Sequence, residues 1–123
     1  YDDVSADPNL FYLYAGVMPG RQADEVEKAL YAEIERFKTE PVSDEELQKA
    51  KNQAEATFIA GQDSVFYQAM LLGQFETVAD WKYLERYLPG IRAVTKEDVQ
   101  RVAREYFVED TRTVGTLIPV KQP

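Results

Sequence analysis

"SDEELQKAKNQAEATFIAGQDSVF", residues 43–66, opens with Ser43 and has Glu46 three residues on. This is the pattern of a capping box, in which the serine oxygen accepts from the N3 amide and the glutamate reaches back to the cap amide. The helix it starts carries Leu47, Ala50, Ala54 and Phe58 on one side, while Lys49, Gln53 and Glu55 face elsewhere. That spacing predicts that the first set is buried and the second exposed. The small side chains of Ala50 and Ala54 let a neighbouring element approach closely. Gly61 suits a C-terminal cap, and Asp63 or Ser64 can cap a second helix through about Val78 that carries Val65, Ala69, Leu72 and Phe75.

Working outward from this pair, the upstream chain shows Val26, Leu30, Ile34 and Phe37 at helical spacing, with Asp24, Glu25 and Glu27 in the first turn where the helix dipole favours acids. A helix from Asp24 to near Thr39 follows. Before it, "LFYLYAGVM" (Leu10 to Met18) lies between Asp7-Pro8-Asn9 and Pro19-Gly20 and reads as a strand buried on both faces. Downstream, Asp80 can cap a short helix with Trp81, Leu84 and Leu88 that Pro89-Gly90 stops. Thr95 with Asp98 repeats the capping logic for a helix with Val99, Val102, Ala103 and Tyr106. "TRTVGTLIP" (Thr111 to Pro119) reads as a closing strand.

Two strands do not make a stable sheet by themselves. The order strand, five helices, strand therefore predicts an α/β (α+β) two-layer domain, with helices packed on one face of a mixed or antiparallel sheet. Its other strands would lie in "YDDVS", in another copy of the chain, or in sequence before Tyr1, which makes the chain a half-domain truncated at its N-terminus.

The composition excludes several function classes. With 14 Lys and Arg against 22 Asp and Glu, the net charge of -8 disfavours a phosphate-tracking surface, so no nucleic-acid partner is expected. With 0 Cys and 0 His there is no thiolate site, no cysteine nucleophile and no imidazole to serve as base or ligand. No apolar run approaches the roughly 18 residues of a membrane span. The 123 residues suffice for one domain or part of one.

Each candidate for chemistry has a plainer structural role. Asp2, Asp3 and Asp7 are hard oxygen donors, but the grammar of a calcium loop is absent and a solvated loop accounts for them. Glu45, Glu46 and Glu55 could include an acid/base pair, yet the capping box explains Glu46 and a solvated helix face the other two. Tyr12 and Tyr14 would share one face of the first strand, as core rather than as a peptide groove. Ser64 has neither a nucleophile-elbow setting nor a histidine, and reads as a helix cap. No catalytic, cofactor-binding or metal residue is assigned.

The residues also carry a resemblance. "YDDVSADPNLFYLYAGVMPG", then "VSDEELQKAKNQAEATFIAGQDSVFYQAMLLGQFETVADW", "YLPGIRAVTKEDVQRVAREYF" and "TRTVGTLIP", in this order, resemble the C-terminal part of the bacterial pitrilysin/insulinase-type zinc peptidases. Their more specific parts are the D-P-x-L-F strand from Asp7 with its Pro19-Gly20 exit, the helix from Glu46 to Asn52, the I-R-A-V-T-x-E-D-V helix start and the closing T-V-G-x-L-x-P strand. The resemblance implies paired α/β domains, two such pairs closing around a peptide. Zinc would be held in the first domain by an inverted H-x-x-E-H motif and a later Glu, and an Arg and Tyr pair would lie just before this chain begins. On this view residues 1–123 are a single segment, the C-terminal portion of the second, non-zinc-binding domain of a zinc metalloendopeptidase.

Several expectations follow from that resemblance. The segment holds no cofactor of its own, zinc residing in the parent's first domain. Its partners are the N-terminal zinc-binding domain or a homologous subunit, and a peptide substrate in the parent. The residues themselves do not decide the compartment, and a periplasmic or envelope location is what the resemblance implies. The isolated segment is expected to form a homodimer through its first strand or the "YDDVS" arm. Two rival readings are a zinc-less partner subunit of such a peptidase and a stand-alone helical interaction module.

Overall fold

The computed structural model describes residues 5–118. Among these the chain forms α1 (Ala23–Thr39), α2 (Asp44–Gly61), α3 (Val65–Val78), α4 (Tyr83–Ala93) and α5 (Lys96–Tyr106), followed by a 3-10 turn at Glu109–Thr111. No strand occurs among the described residues, and the structure is helical. The expected α/β two-layer domain, with helices on a mixed or antiparallel sheet, is overturned.

The reason lies in what makes a strand. Apolar sequence is necessary for a buried strand, but the strand itself is a ladder of hydrogen bonds to a neighbour. Leu10 to Met18 has no regular structure, and instead of being buried on both faces its Leu10, Phe11 and Tyr12 remain half or more exposed. The closing run behaves alike, with Leu117 and Ile118 exposed; Pro119 lies outside the described residues, as do the first four residues of the "YDDVS" arm. The exit from the first run is well defined. Arg21 N donates to Met18 O at 3.1 Å across Pro19 and Gly20, and Gly20 has φ +84. Pro followed by a glycine of positive φ is the signature of a type II turn.

The chain divides into two compact units. One comprises Val42–Lys96 with the described part of Tyr1–Tyr14, the other Ala15–Pro41 with the described part of Glu97–Pro123.

In the first unit the capping box is formed as expected: Glu46 N donates to Ser43 Oγ at 3.1 Å, and Ser43 N donates to Glu46 Oε2 at 2.9 Å. Leu47, Ala54 and Phe58 are half-buried, whereas Ala50 is exposed; Lys49 and Gln53 are exposed but Glu55 is half-buried. The helix ends at Gly61, and the cap residue Gln62 is right-handed, so Gly61 is not a left-handed stop. Its missing side chain has another use, since a Cβ at Gly61 would run into the ring of Tyr67.

Ser64 caps α3 by accepting from Tyr67 N at 3.2 Å. Leu71 and Phe75, one turn apart, are buried, and Phe75 stacks on Tyr83 of α4 with ring centroids 5.1 Å apart. Asp80 Oδ1 accepts from Lys82 N at 2.9 Å ahead of α4. That helix runs through Pro89 to Ala93 rather than stopping there. Proline removes one helix hydrogen bond and crowds the preceding turn. Anchors on either side hold the turn in place: Tyr87 stacks on Phe58 of α2 at 4.8 Å, and Lys51 Nζ donates to Arg92 O at 2.8 Å.

In the second unit Val26, Leu30, Ile34 and Phe37 are half-buried along one side of α1, as their spacing predicts, and Ala103 of α5 is 2% exposed. Arg104 Nε donates to Lys38 O at 2.7 Å, tying α5 to the end of α1. The Arg112 guanidinium lies 4.2 Å from the centroid of the Tyr31 ring.

Candidate functional site

An open groove of about 460 Å³ lies in the first unit. It is lined by Ala50, Gln53, Ala54, Thr57 and Phe58 of α2, Tyr67 of α3 and Tyr87 of α4. Small residues at Ala50 and Ala54 leave the space, and the Phe58–Tyr87 stack fixes one wall. The lining carries no charge. Apolar walls with a few hydrogen-bonding groups suit an uncharged side chain better than an ion.

Glu55 is the carboxylate nearest in sequence to this lining, and it is committed elsewhere. Arg92 holds it through both guanidinium Nε, at 3.2 Å, and Nη2. The Arg92 hydrogen bond holds the Glu55 carboxyl below the usual carboxylate range, and the same bond raises Arg92. A carboxylate so held is a poor proton acceptor. The other displaced groups are structural too. Asp24 is lowered by its hydrogen bond from Lys28 Nζ, at 3.1 Å. Tyr31 is raised by donating to Glu27 Oε1 at 2.6 Å.

The residues singled out in the sequence are not brought together. Asp2 and Asp3 lie outside the described residues, and Asp7 is exposed. Glu45 is exposed in the first turn of α2, Glu46 closes the capping box, and Ser64 caps α3. Tyr12 and Tyr14 are 57% and 95% exposed, so they are not core as expected. The groove itself was missed; its signal was the pairing of Ala50 and Ala54 with Phe58, read as a buried face.

The residues present do not fit zinc. The chain has 0 His and 0 Cys, and no three Asp or Glu among the described residues converge on a point that could hold a metal. Zinc prefers nitrogen and sulfur donors. No described helix is long and apolar enough to cross a membrane.

Known proteins give this arrangement its context. The model of the Peptidase M16 inactive domain matches residues 1–54. Over 113 residues, 92% of the chain, the sequence is 29% identical to the zinc protease PqqE of Helicobacter pylori, strain ATCC 700392 / 26695. The crystal structure of the inactive peptidase domain of a "putative zinc protease" from Bordetella parapertussis aligns with a TM-score of 0.78 at 28% identity, over 89% of this chain.

The chain is similar to the inactive domains of M16 peptidases. A second crystal structure, of the protein of the same description from Bordetella pertussis Tohama I, aligns at TM-score 0.74 and 27% identity over 85% of the chain. The resemblance to the C-terminal part of the pitrilysin/insulinase-type peptidases is therefore shown. The chain spans 26% of PqqE and 58% and 57% of the two Bordetella chains.

Proposed function

We propose that this chain serves as non-catalytic scaffold in a zinc-dependent metalloendopeptidase, lining part of the chamber in which a peptide is enclosed and contacting a zinc-bearing N-terminal domain or a homologous subunit. In this reading residues 1–123 form one segment of the second, non-zinc-binding domain, and no residue of the segment is catalytic or binds metal. The carrying observation is the donor set: the sequence has neither imidazole nor thiolate, Glu46 and Glu55 are held in a cap and an ion pair, and no group of three metal-ligating residues occurs among the described residues. Its similarity to domains described as inactive and to a zinc protease supports the same division of labour.

The groove over Ala50 and Ala54 suits the role of chamber wall. Its uncharged lining can receive varied apolar side chains without selecting a charge. Hydrolysis itself would belong to zinc held by the partner domain, and no step of it is assigned to a residue here.

The test is to assay peptide hydrolysis by the chain alone, by a zinc-bearing domain of this peptidase type alone, and by the two mixed. Activity in the mixture above that of the zinc domain alone, with none from the chain alone, supports the reading. Chelator-sensitive cleavage by the chain alone, or a mixture no better than the zinc domain, contradicts it.

A further inference from the structure

The contacts between α2 and the chain around α4 run in opposite order along the two: Phe58 meets Tyr87, Glu55 and Lys51 meet Arg92, and Asp44 meets Lys96 just beyond α4. The two helices therefore lie antiparallel. Their chemistry changes at Pro89-Gly90. Before it, α4 is held by rings, Tyr83 on the buried Phe75 and Tyr87 on Phe58, with centroids 5.1 and 4.8 Å apart. After it, Arg92 donates to Glu55 from Nε, at 3.2 Å, and from Nη2, Lys51 Nζ donates to Arg92 O at 2.8 Å, and Lys96 Nζ lies 2.6 Å from Asp44 Oδ1. No residue from Pro89 to Lys96 is buried; Ile91 and Val94 are half-buried.

From this arrangement we infer that residues 90–96 form an ionic latch: the last turn of α4 and the link to α5 leave α2 when salt screens their pairs, pivoting at Pro89-Gly90, while the aromatic half of α4 stays docked. The pivot follows from the backbone. Proline cannot make the helix bond back to Glu85, and Gly90 has the poorest helix propensity after proline, so α4 is weakest between its two halves. The latch also completes the helix it holds. Because α4 ends at Ala93, Arg92 O is one of the last four carbonyls, which have no donor within the helix. Lys51 supplies that donor and places a cation at the negative end of the helix dipole.

Exposure makes the latch releasable. The side chain of Asp44 is 92% exposed and that of Arg92 is 59% exposed. Pairs at such positions hold weakly and lose strength as the screening length falls from about 10 Å at 0.1 M salt to about 3 Å at 1 M. Stacked rings have no comparable dependence. Since the polar contacts all hold one short segment, weakening them favours a local opening well below the cost of unfolding the unit. Lys96 is the last residue of the first unit, so the latch sits where the chain leaves it. The inference goes beyond the scaffold role and does not depend on it.

Amide hydrogen exchange of the full chain, read residue by residue by NMR at about 0.05 M and about 1 M sodium chloride, tests this. Relative to Tyr87 and Leu88 in the aromatic half, exchange at Arg92, Ala93 and Val94 should rise by about threefold or more at high salt. Ala60 and Gly61, in the uncharged last turn of α2, should not respond. Glu55→Gln keeps the size of the side chain and removes its charge; it should speed exchange at the same three amides in low salt and remove most of their salt response. Protection retained at Tyr87 and Leu88 shows that this variant is folded. Pro89→Ala should slow exchange at the three amides at both salt concentrations. Exchange at Arg92 to Val94 that ignores salt and Glu55→Gln would mean ordinary fraying of a helix end and would overturn the inference. Tyr87 and Leu88 rising in step with them would mean that α4 leaves as a whole, without a pivot, and would overturn it equally.

Discussion

Glu55 and Gly61 show how single residues tie the first unit together. The Arg92 hydrogen bond lowers the Glu55 carboxyl below its ordinary value, so the folded state favours the ionised form more than the unfolded chain does. The contribution to stability is complete above the unfolded carboxylate pKa and is lost as pH falls through the folded one. The stability difference between wild type and Glu55→Gln, measured by urea melts, should therefore be largest near neutrality and shrink towards about pH 3. A difference that grows on acidification would mean the ion pair has the opposite linkage. Gly61 and Gly73 form a second test. Gly61→Ala puts a methyl into the Tyr67 ring and should cost about 1–3 kcal/mol, whereas Gly73→Ala meets open space and should gain about 0.5–1 kcal/mol by restricting the unfolded chain. Melts at low protein concentration read both. Gly61 reads as a helix stop in the sequence, because a glycine after an amphipathic run is more often a left-handed cap than a seat for a ring six residues further on.

At the level of elements, starts were legible and stops less so. Ser43 with Glu46 and the Ser64 cap are local chemistry: the donor and acceptor are three residues apart, so sequence alone places them. Ser43→Ala should cost about 1 kcal/mol in a denaturant melt, and a neutral result would mean the box is not formed in solution. Pro89 was read as a stop, but α4 continues through it because Tyr87 and Arg92 are held against α2 on either side. Such anchors come from residues 29 and 41 positions away along the chain, beyond the reach of a local rule. Pro89→Ala should restore the missing helix bond and stabilise the unit by about 1–3 kcal/mol. The two apolar runs failed as strands for a related reason. Leu10 to Met18 and Thr111 to Ile118 have strand-like composition, but composition cannot show whether a ladder partner is present, and among the described residues none is.

For the whole molecule, relationship and chemistry agree. The order of motifs from Asp7-Pro8 to the closing T-V-G-x-L carried the resemblance to the C-terminal part of a zinc peptidase, and the M16-type relatives show it. The groove was not legible, because Ala50 and Ala54 mark a close approach without saying whether a helix, a side chain or solvent fills it. What the chain does not contain is as informative as what it does, since His and Cys are the donors zinc prefers. The central proposal is that this chain carries no catalytic metal chemistry of its own. Metal analysis of the chelator-washed chain after re-equilibration with zinc tests it most directly: the account predicts zinc far below one per chain with no peptide cleavage, and one tightly held zinc per chain with chelator-sensitive cleavage would contradict it.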